Sequence, residues 1–298
     1  MLTIAQVERE TGLSKDVLRV WERRYGFPTP RRSEGGDRLY EPDQVERLRL
    51  IKRLMDQGLR PGRLFSLAAD QLNDLAQVQH AGAAESASLM PFQPIVDQVL
   101  SDDNLGLRRS LSQLLAKQGL QRFVQDAVPQ LNELVGNNWA TGRLGIHQEH
   151  LYSEELGRLL RAAIGNLPTG GQPPRILLTT VSGEEHGLGL LMVEGVLAPE
   201  GAQCVSLGLQ TPTEDIFRAV SAYNIQVLIL SFSIAFPLKQ GLAAIKLLRD
   251  RLPADVEIWV GGAMTRMLGK HRLPGVLWTP ELADCLTRLA DWRERHRN

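Results

Sequence analysis

The residues best suited to chemistry stand in short groups late in the chain. Glu184-Glu185-His186-Gly187-Leu188-Gly189 puts an imidazole two residues after a carboxylate, and Ser231-Phe232-Ser233 and Gly261-Gly262 follow at wide intervals. Imidazole is a good ligand for transition metals. A carboxylate beside it can accept from its second nitrogen and orient the ring. Small Ser and Gly side chains make room for a bulky group, and hydroxyls can bond to it. Earlier in the chain, Trp139 is followed after nine residues by Glu149-His150, adding an aromatic face and a second imidazole. Taken singly, each group is ordinary: a surface-loop histidine, a core tryptophan, a satisfied helix histidine. Their spacing is what joins them.

The elements that must position these residues can be read from hydrophobic period. After the turn-forming NLPTGGQPP (166–174), the runs RILLTTV, QCVSLGL, QVLILSFS and VEIWVGG read as strands, with helices near 187–198, 214–224 and 238–251 between them. Continuous apolar strands alternating with helices predict a parallel sheet covered on both faces. A short strand GVLW and a helix from Glu281 complete a doubly wound, Rossmann-like domain over 173–298. His186 then lies in the loop after the first strand, at the carboxyl end where open sheets bind ligands. From 92 to 167 the apolar residues recur at helical spacing, predicting a bundle of about four helices that carries Trp139, Glu149 and His150.

The N-terminal segment has a different character. Thr3 with Gln6 forms a capping box, Gly12-Leu13 supplies a turn, and Ser14 caps a second helix with Val17, Leu18 and Trp21 inward and Lys15, Arg19 and Arg23 outward. Helix, tight turn, helix is the helix-turn-helix layout, whose second helix enters the major groove. In FPTPRRSEGGDRLY, Pro28 and Pro30 end that helix and Gly35-Gly36 permits a hairpin flanked by Arg32 and Arg38, a wing suited to phosphates. Pro42 opens a third helix with Val45, Leu48, Ile51 and Met55 on one face. A winged DNA-binding domain is expected over 1–78, and a small-residue linker over 79–91.

Composition sets the limits. The 298 residues are 43% hydrophobic and 23% charged with zero formal net charge, so nucleic-acid binding must rest on local clusters such as Arg19, Arg23, Arg24, Arg31, Arg32 and Arg38. Cys204 and Cys285 form no CxxC pair, which argues against zinc-ribbon, redox-motif and disulfide chemistry. The opening MLTIAQVERE lacks a leader pattern and no run approaches 18 uncharged apolar residues, so a cytoplasmic protein that does not contact membrane is expected.

Over about 58 residues the N-terminal sequence resembles the MerR family of regulators, through the opening TIAQV, LRVWERRYG, the basic wing ending in RLY, and the helix ending at Gly58. The resemblance implies contacts with an operator duplex from Ser14, Lys15, Arg19, Arg23, Arg24, Arg32, Arg38 and Tyr40. MerR members commonly dimerise through a long coiled coil. No sustained heptad follows here, so self-association as dimer or tetramer is expected from the C-terminal part.

The Glu184/His186/Gly189, Ser231/Ser233 and Gly261-Gly262 set resembles the cobalamin-binding fold of methionine synthase and methylmalonyl-CoA mutase. It departs mildly, with Glu where Asp is commoner at 184 and Ser where Leu or Thr is commoner at 233. That resemblance implies His186 as the lower axial cobalt ligand and a channel for the nucleotide tail beside the sheet. Trp139 with Glu149-His150 resembles CarH-type photoreceptor regulators, in which the bundle covers the upper corrin face and the Trp packs against the adenosyl group. The implied cofactor is adenosylcobalamin, and the implied switch is a change of oligomeric state after light breaks the cobalt–carbon bond. A histidine follows the Trp in some such photoreceptors; here the residue is Ala140, with His147 and His150 nearby. Cobalamin sensing without light, or a repurposed C-terminal domain, stays open. A cobalamin-dependent enzyme module fits poorly, because a DNA reader stands where a catalytic domain would.

Overall fold

The computed structural model spans residues 1–298 and describes all but 34, 57, 58, 60, 69, 70, 73–89, 141, 169, 270 and 298. Residues 79–89 of the expected linker lie outside the described residues. The chain divides into two compact units, Met1–Leu100 with Glu133–Glu149, and Ser101–Asn132 with His150–Asn298.

In the first unit, β1 (Leu2–Thr3) leads into α1 (Ile4–Thr11), and the Thr3/Gln6 capping box forms as its side chains dictate. Gly12 takes a left-handed φ of 68° to end α1. Ser14 then caps α2 (Lys15–Tyr25), accepting from Val17 N at 3.3 Å. β2 (Arg31–Arg32) and β3 (Arg38–Tyr40) pair antiparallel, and β1 adds to β3, giving the sheet order β1-β3-β2. α3 (Pro42–Asp56) and α4 (Pro61–Leu64) close the winged domain over a core of Val7, Leu18, Trp21, Tyr40, Leu48, Ile51, Leu54 and Leu64. Fully burying such a side chain contributes about 1.5–3 kcal/mol each. Phe65 sits among aromatic rings, edge-on to Trp21 at 4.9 Å and stacked on Tyr25 at 4.4 Å.

Four helices follow: α5 (Gln93–Leu100), α6 (Asn104–Gln118), α7 (120–140) and α8 (Ile146–Gly165). α7 runs without a break through Leu120–Arg122, a π-helical turn at Phe123–Ala127, and Val128–Ala140. The unit boundary passes through this helical segment. α5 and the 133–149 stretch belong to the first unit, where Gln148 Nε2 donates to Leu100 O at 3.0 Å.

The second unit holds a parallel sheet in the order β5-β4-β6-β7-β8, formed by β4 (Gln172–Val181), β5 (Ala202–Thr211), β6 (Val227–Ser231), β7 (Glu257–Gly261) and β8 (Leu277–Thr279). The intervening helices are α9 (Leu188–Leu197), α10 (Thr213–Ala222) and α11 (Leu238–Arg251), with α12 (Leu282–Arg295) last. β6 is buried at every position, as a strand covered on both faces must be. The chain order reverses between β4 and β6, and this switch point is where a doubly wound sheet opens a crevice. α6, residues 120–132 and 150–165 also belong to this unit. Gly195 on α9 lets Val124 come close, since a Cβ there would lie 3.1 Å from Val124 Cγ2. Glu155, buried on α8, accepts both Nε and Nη2 of Arg108 at 2.9 Å.

Candidate functional site

At the end of β4 the chain turns through Gly183, whose φ of +87° suits glycine, and buries Glu184 to 1% side-chain exposure. A buried carboxylate needs hydrogen-bond donors. Glu184 has four. Its Oε1 accepts from His186 N at 2.9 Å and lies 2.7 Å from His186 Nδ1, and its Oε2 accepts from Ser233 N at 2.7 Å and Ser233 Oγ at 2.9 Å. Burial pushes the carboxyl up, but these bonds from His186 and Ser233 outweigh it and hold Glu184 below its ordinary value. An ionised carboxylate only accepts, so Nδ1 carries a proton, and in the neutral ring Nε2 is the nitrogen left with a lone pair. The His186 side chain is 66% exposed, so the imidazole is aimed from a rigid base toward solvent.

The glycines explain why the motifs are spaced as they are. A Cβ at Gly189 would lie 2.6 Å from Ser231 Oγ, and one at Gly262 would lie 2.2 Å from Phe232 O. One at Gly261 would lie 2.9 Å from Thr279 O. Residues far apart in sequence thus meet at the carboxyl ends of β4, β6 and β7: Glu184 with Ser233, Gly189 with Ser231, Gly262 with Phe232. Thr180 Oγ1 donates to Glu184 O at 2.8 Å, a support that sequence reading missed because a lone strand threonine gives no signal. Trp139 is half-buried and belongs with Glu149 to the first unit, whereas the exposed His150 belongs with His186 to the second. Burial pushes the Cys204 thiol up to about 12 and the Cys285 thiol up to about 11, so both stay protonated and unreactive.

On the winged domain, Ser14, Lys15, Arg19, Arg23, Arg24 and Arg32 are exposed, so one face of α2 and the wing tip present cations. Arg38 is more enclosed: its Nε donates to Glu22 Oε2 at 2.9 Å, which ties the wing to α2. Tyr40 corrects the sequence expectation. Its side chain is 0% exposed and belongs to the same core cluster as Trp21 and Leu48, because it lies on the face of the small sheet that the helices cover, and a side chain without exposed surface does not reach DNA. Burial, and then Glu22, push its hydroxyl up.

A winged helix-turn-helix with a cationic face, carried on one chain with a parallel-sheet domain that presents an oriented imidazole at the end of β4, is the layout of a DNA-binding regulator joined to a second, α/β domain. The family profile described as MerR HTH family regulatory protein matches residues 2–64, and that described as B12 binding domain matches 174–278. The HTH-type transcriptional repressor CarH of Myxococcus xanthus is 31% identical over 265 residues, covering 86% of this chain and 86% of that protein. The repressor CarA of the same organism is 30% identical over 78% of this chain and 76% of its own length. The chain belongs to this CarH/CarA family of MerR regulators. About two thirds of the chain also shares the fold of the Methanosarcina barkeri monomethylamine corrinoid protein, with a TM-score of 0.54 at 15% identity over 66% of this chain and 96% of that one. No helix among the described residues is long and apolar enough to cross a membrane.

Proposed function

We propose that this chain is a cytoplasmic transcription regulator, not an enzyme, whose hold on a duplex operator is set by cobalamin bound through His186. The observation that carries this reading is the Glu184 carboxylate, which fixes His186 in the tautomer that offers Nε2. Among the described residues no group of three or more His, Cys, Asp or Glu is placed to hold a metal ion. A single oriented imidazole suits a metal that brings its other ligands in a macrocycle, so the donor set fits cobalt in a corrin.

Adenosylcobalamin, when bound, supplies a light-sensitive cobalt–carbon bond, and this is the form we assign. His186 would hold the metal through Nε2, with Glu184 keeping the imidazole from rotating. Gly189, Ser231, Ser233, Gly261 and Gly262 line the entrance for the nucleotide tail. Trp139, Glu149 and His150, on the helices over 92–167, would also take part in holding the cofactor. Ser14, Lys15, Arg19, Arg23, Arg24 and Arg32 contact DNA, and the liganded and unliganded forms differ in self-association, as dimer or tetramer, which alters operator affinity through multivalency. A second reading, cobalamin sensing without light, is favoured by Ala140 directly after Trp139, where no imidazole is available.

The deciding experiment mixes purified protein with adenosylcobalamin in the dark, desalts it, and records absorption and solution mass before and after green light. Retained corrin with a light-driven change in both supports the photoreceptor. Retained corrin without a mass change supports the second reading, and no retention refutes cobalamin control.

A further inference from the structure

The end of β5 is built in an unusual way beside the His186 loop. Its pairing with β4 slips twice, between Leu178 and Thr179 and again between Thr179 and Val181. Gly208 has φ +78° and Gln210, a non-glycine residue, has φ +55°. A left-handed conformation in a residue with a Cβ costs about 1–2 kcal/mol and persists only where the surroundings enforce it. Here they do: Gln210 N donates to Thr180 Oγ1 at 2.8 Å, and Thr179 Oγ1 lies 3.0 Å from Gly208 O and 2.7 Å from Thr211 Oγ1. Thr180 Oγ1 is the hydroxyl that also donates to Glu184 O. One side chain therefore sets both the backbone that carries His186 and the backbone of the β5 bulge.

The bulge presents Leu209. Its side chain is 42% exposed, and it lies against the bare α-carbon of Gly187, where an added Cβ would be 2.9 Å from Leu209 Cδ2. A single exposed leucine is unremarkable. One held between two residues of left-handed backbone, Gly208 and Gln210, and set against the residue next to the imidazole, is well placed to meet a bound group. We infer that Leu209 forms an apolar ledge that supports the lower face of a corrin ring held by His186. This rests on the cobalamin reading and adds to it a residue that discriminates a broad macrocycle from a small hydrated metal complex at the same imidazole.

The test uses the full chain and adenosylcobalamin in the dark, comparing wild type with Leu209→Ala, Leu209→Asp and His186→Ala by equilibrium dialysis and absorption. Losing the burial of one leucine side chain weakens binding about tenfold, so Leu209→Ala is expected to show that loss and Leu209→Asp a larger one. At saturation both Leu209 variants keep the wild-type spectrum, because the axial ligand is unchanged, whereas His186→Ala shifts it. Apo-protein melting of the Leu209 variants is expected to match wild type, since the side chain is exposed. Wild-type affinity in both Leu209 variants would overturn the ledge alone. Failure of wild type to bind would overturn the cobalamin reading and the ledge with it.

Discussion

At the scale of single residues, Glu184 and His186 divide two tasks. His186→Ala removes one of the donors to buried Glu184, so it is expected to cost about 1–2 kcal/mol of apo stability and, on the proposed reading, to change the spectrum of bound cobalamin. Glu184 is buried, and Glu184→Ala strands the donors of His186 and Ser233, at about 1–3 kcal/mol in thermal or denaturant unfolding. Its pH dependence has a definite sign. The carboxyl lies below its ordinary value in the folded chain, so its stabilisation is fully present above the unfolded carboxyl's range and is lost as pH falls through the folded value. Acid titration of wild type against Glu184→Gln should show the difference vanishing at low pH. His186 was legible in the sequence because its spacing to the later motifs constrains it. The burial of Tyr40 was not, because RLY reads as a motif and only the packing of the small sheet against the helices decides which of its residues turns inward. Leu209 was equally hidden, since a bulge breaks the alternation by which exposed and buried strand positions are told apart.

At the scale of elements, the strands and helices of the second unit were readable to within a few residues because buried parallel strands are apolar throughout. The Thr3/Gln6 and Ser14 caps were readable because capping is local chemistry. The π-helical turn at Phe123–Ala127 and the packing of Phe65 against Trp21 and Tyr25 leave no mark in hydrophobic period, because they depend on partners elsewhere in the chain. Two predictions belong here. Gly262→Ala adds a Cβ 2.2 Å from Phe232 O at a left-handed φ of 89°, and is expected to destabilise the sheet domain by more than about 1–3 kcal/mol, seen in calorimetry. Glu22→Gln weakens the tie between α2 and the wing through Arg38. If charge alone governed, removing a carboxylate from the DNA face would tighten binding to a random-sequence duplex library. If wing position governs, selection from the same library yields weaker and less specific complexes, which is the outcome we expect.

At the scale of the whole molecule, zero formal net charge makes DNA binding a matter of local cations. Affinity for duplex DNA should fall steeply with salt, and Arg23→Ala should lower the slope of log K against log salt by about one unit without altering cobalamin uptake. Cofactor that binds only the folded chain stabilises it by mass action, about 2.7 kcal/mol at a hundredfold excess over Kd. Calorimetry with and without adenosylcobalamin should place that gain in the transition of the sheet domain.

The two positions that depart from the cobalamin-fold pattern, Glu184 and Ser233, are hydrogen-bonded to each other through Oε2 and both donors of Ser233. The longer Glu reaches across to the loop after β6, where Ser233 N and Oγ both donate to it, while a shorter Asp facing Leu would stay with its histidine. Among relatives, Glu at 184 should travel with a hydroxyl residue at 233. The paired exchange Glu184→Asp with Ser233→Leu should be better tolerated than the sum of the two single changes, and a double-mutant cycle on thermal stability that shows simple additivity would dissolve the pair.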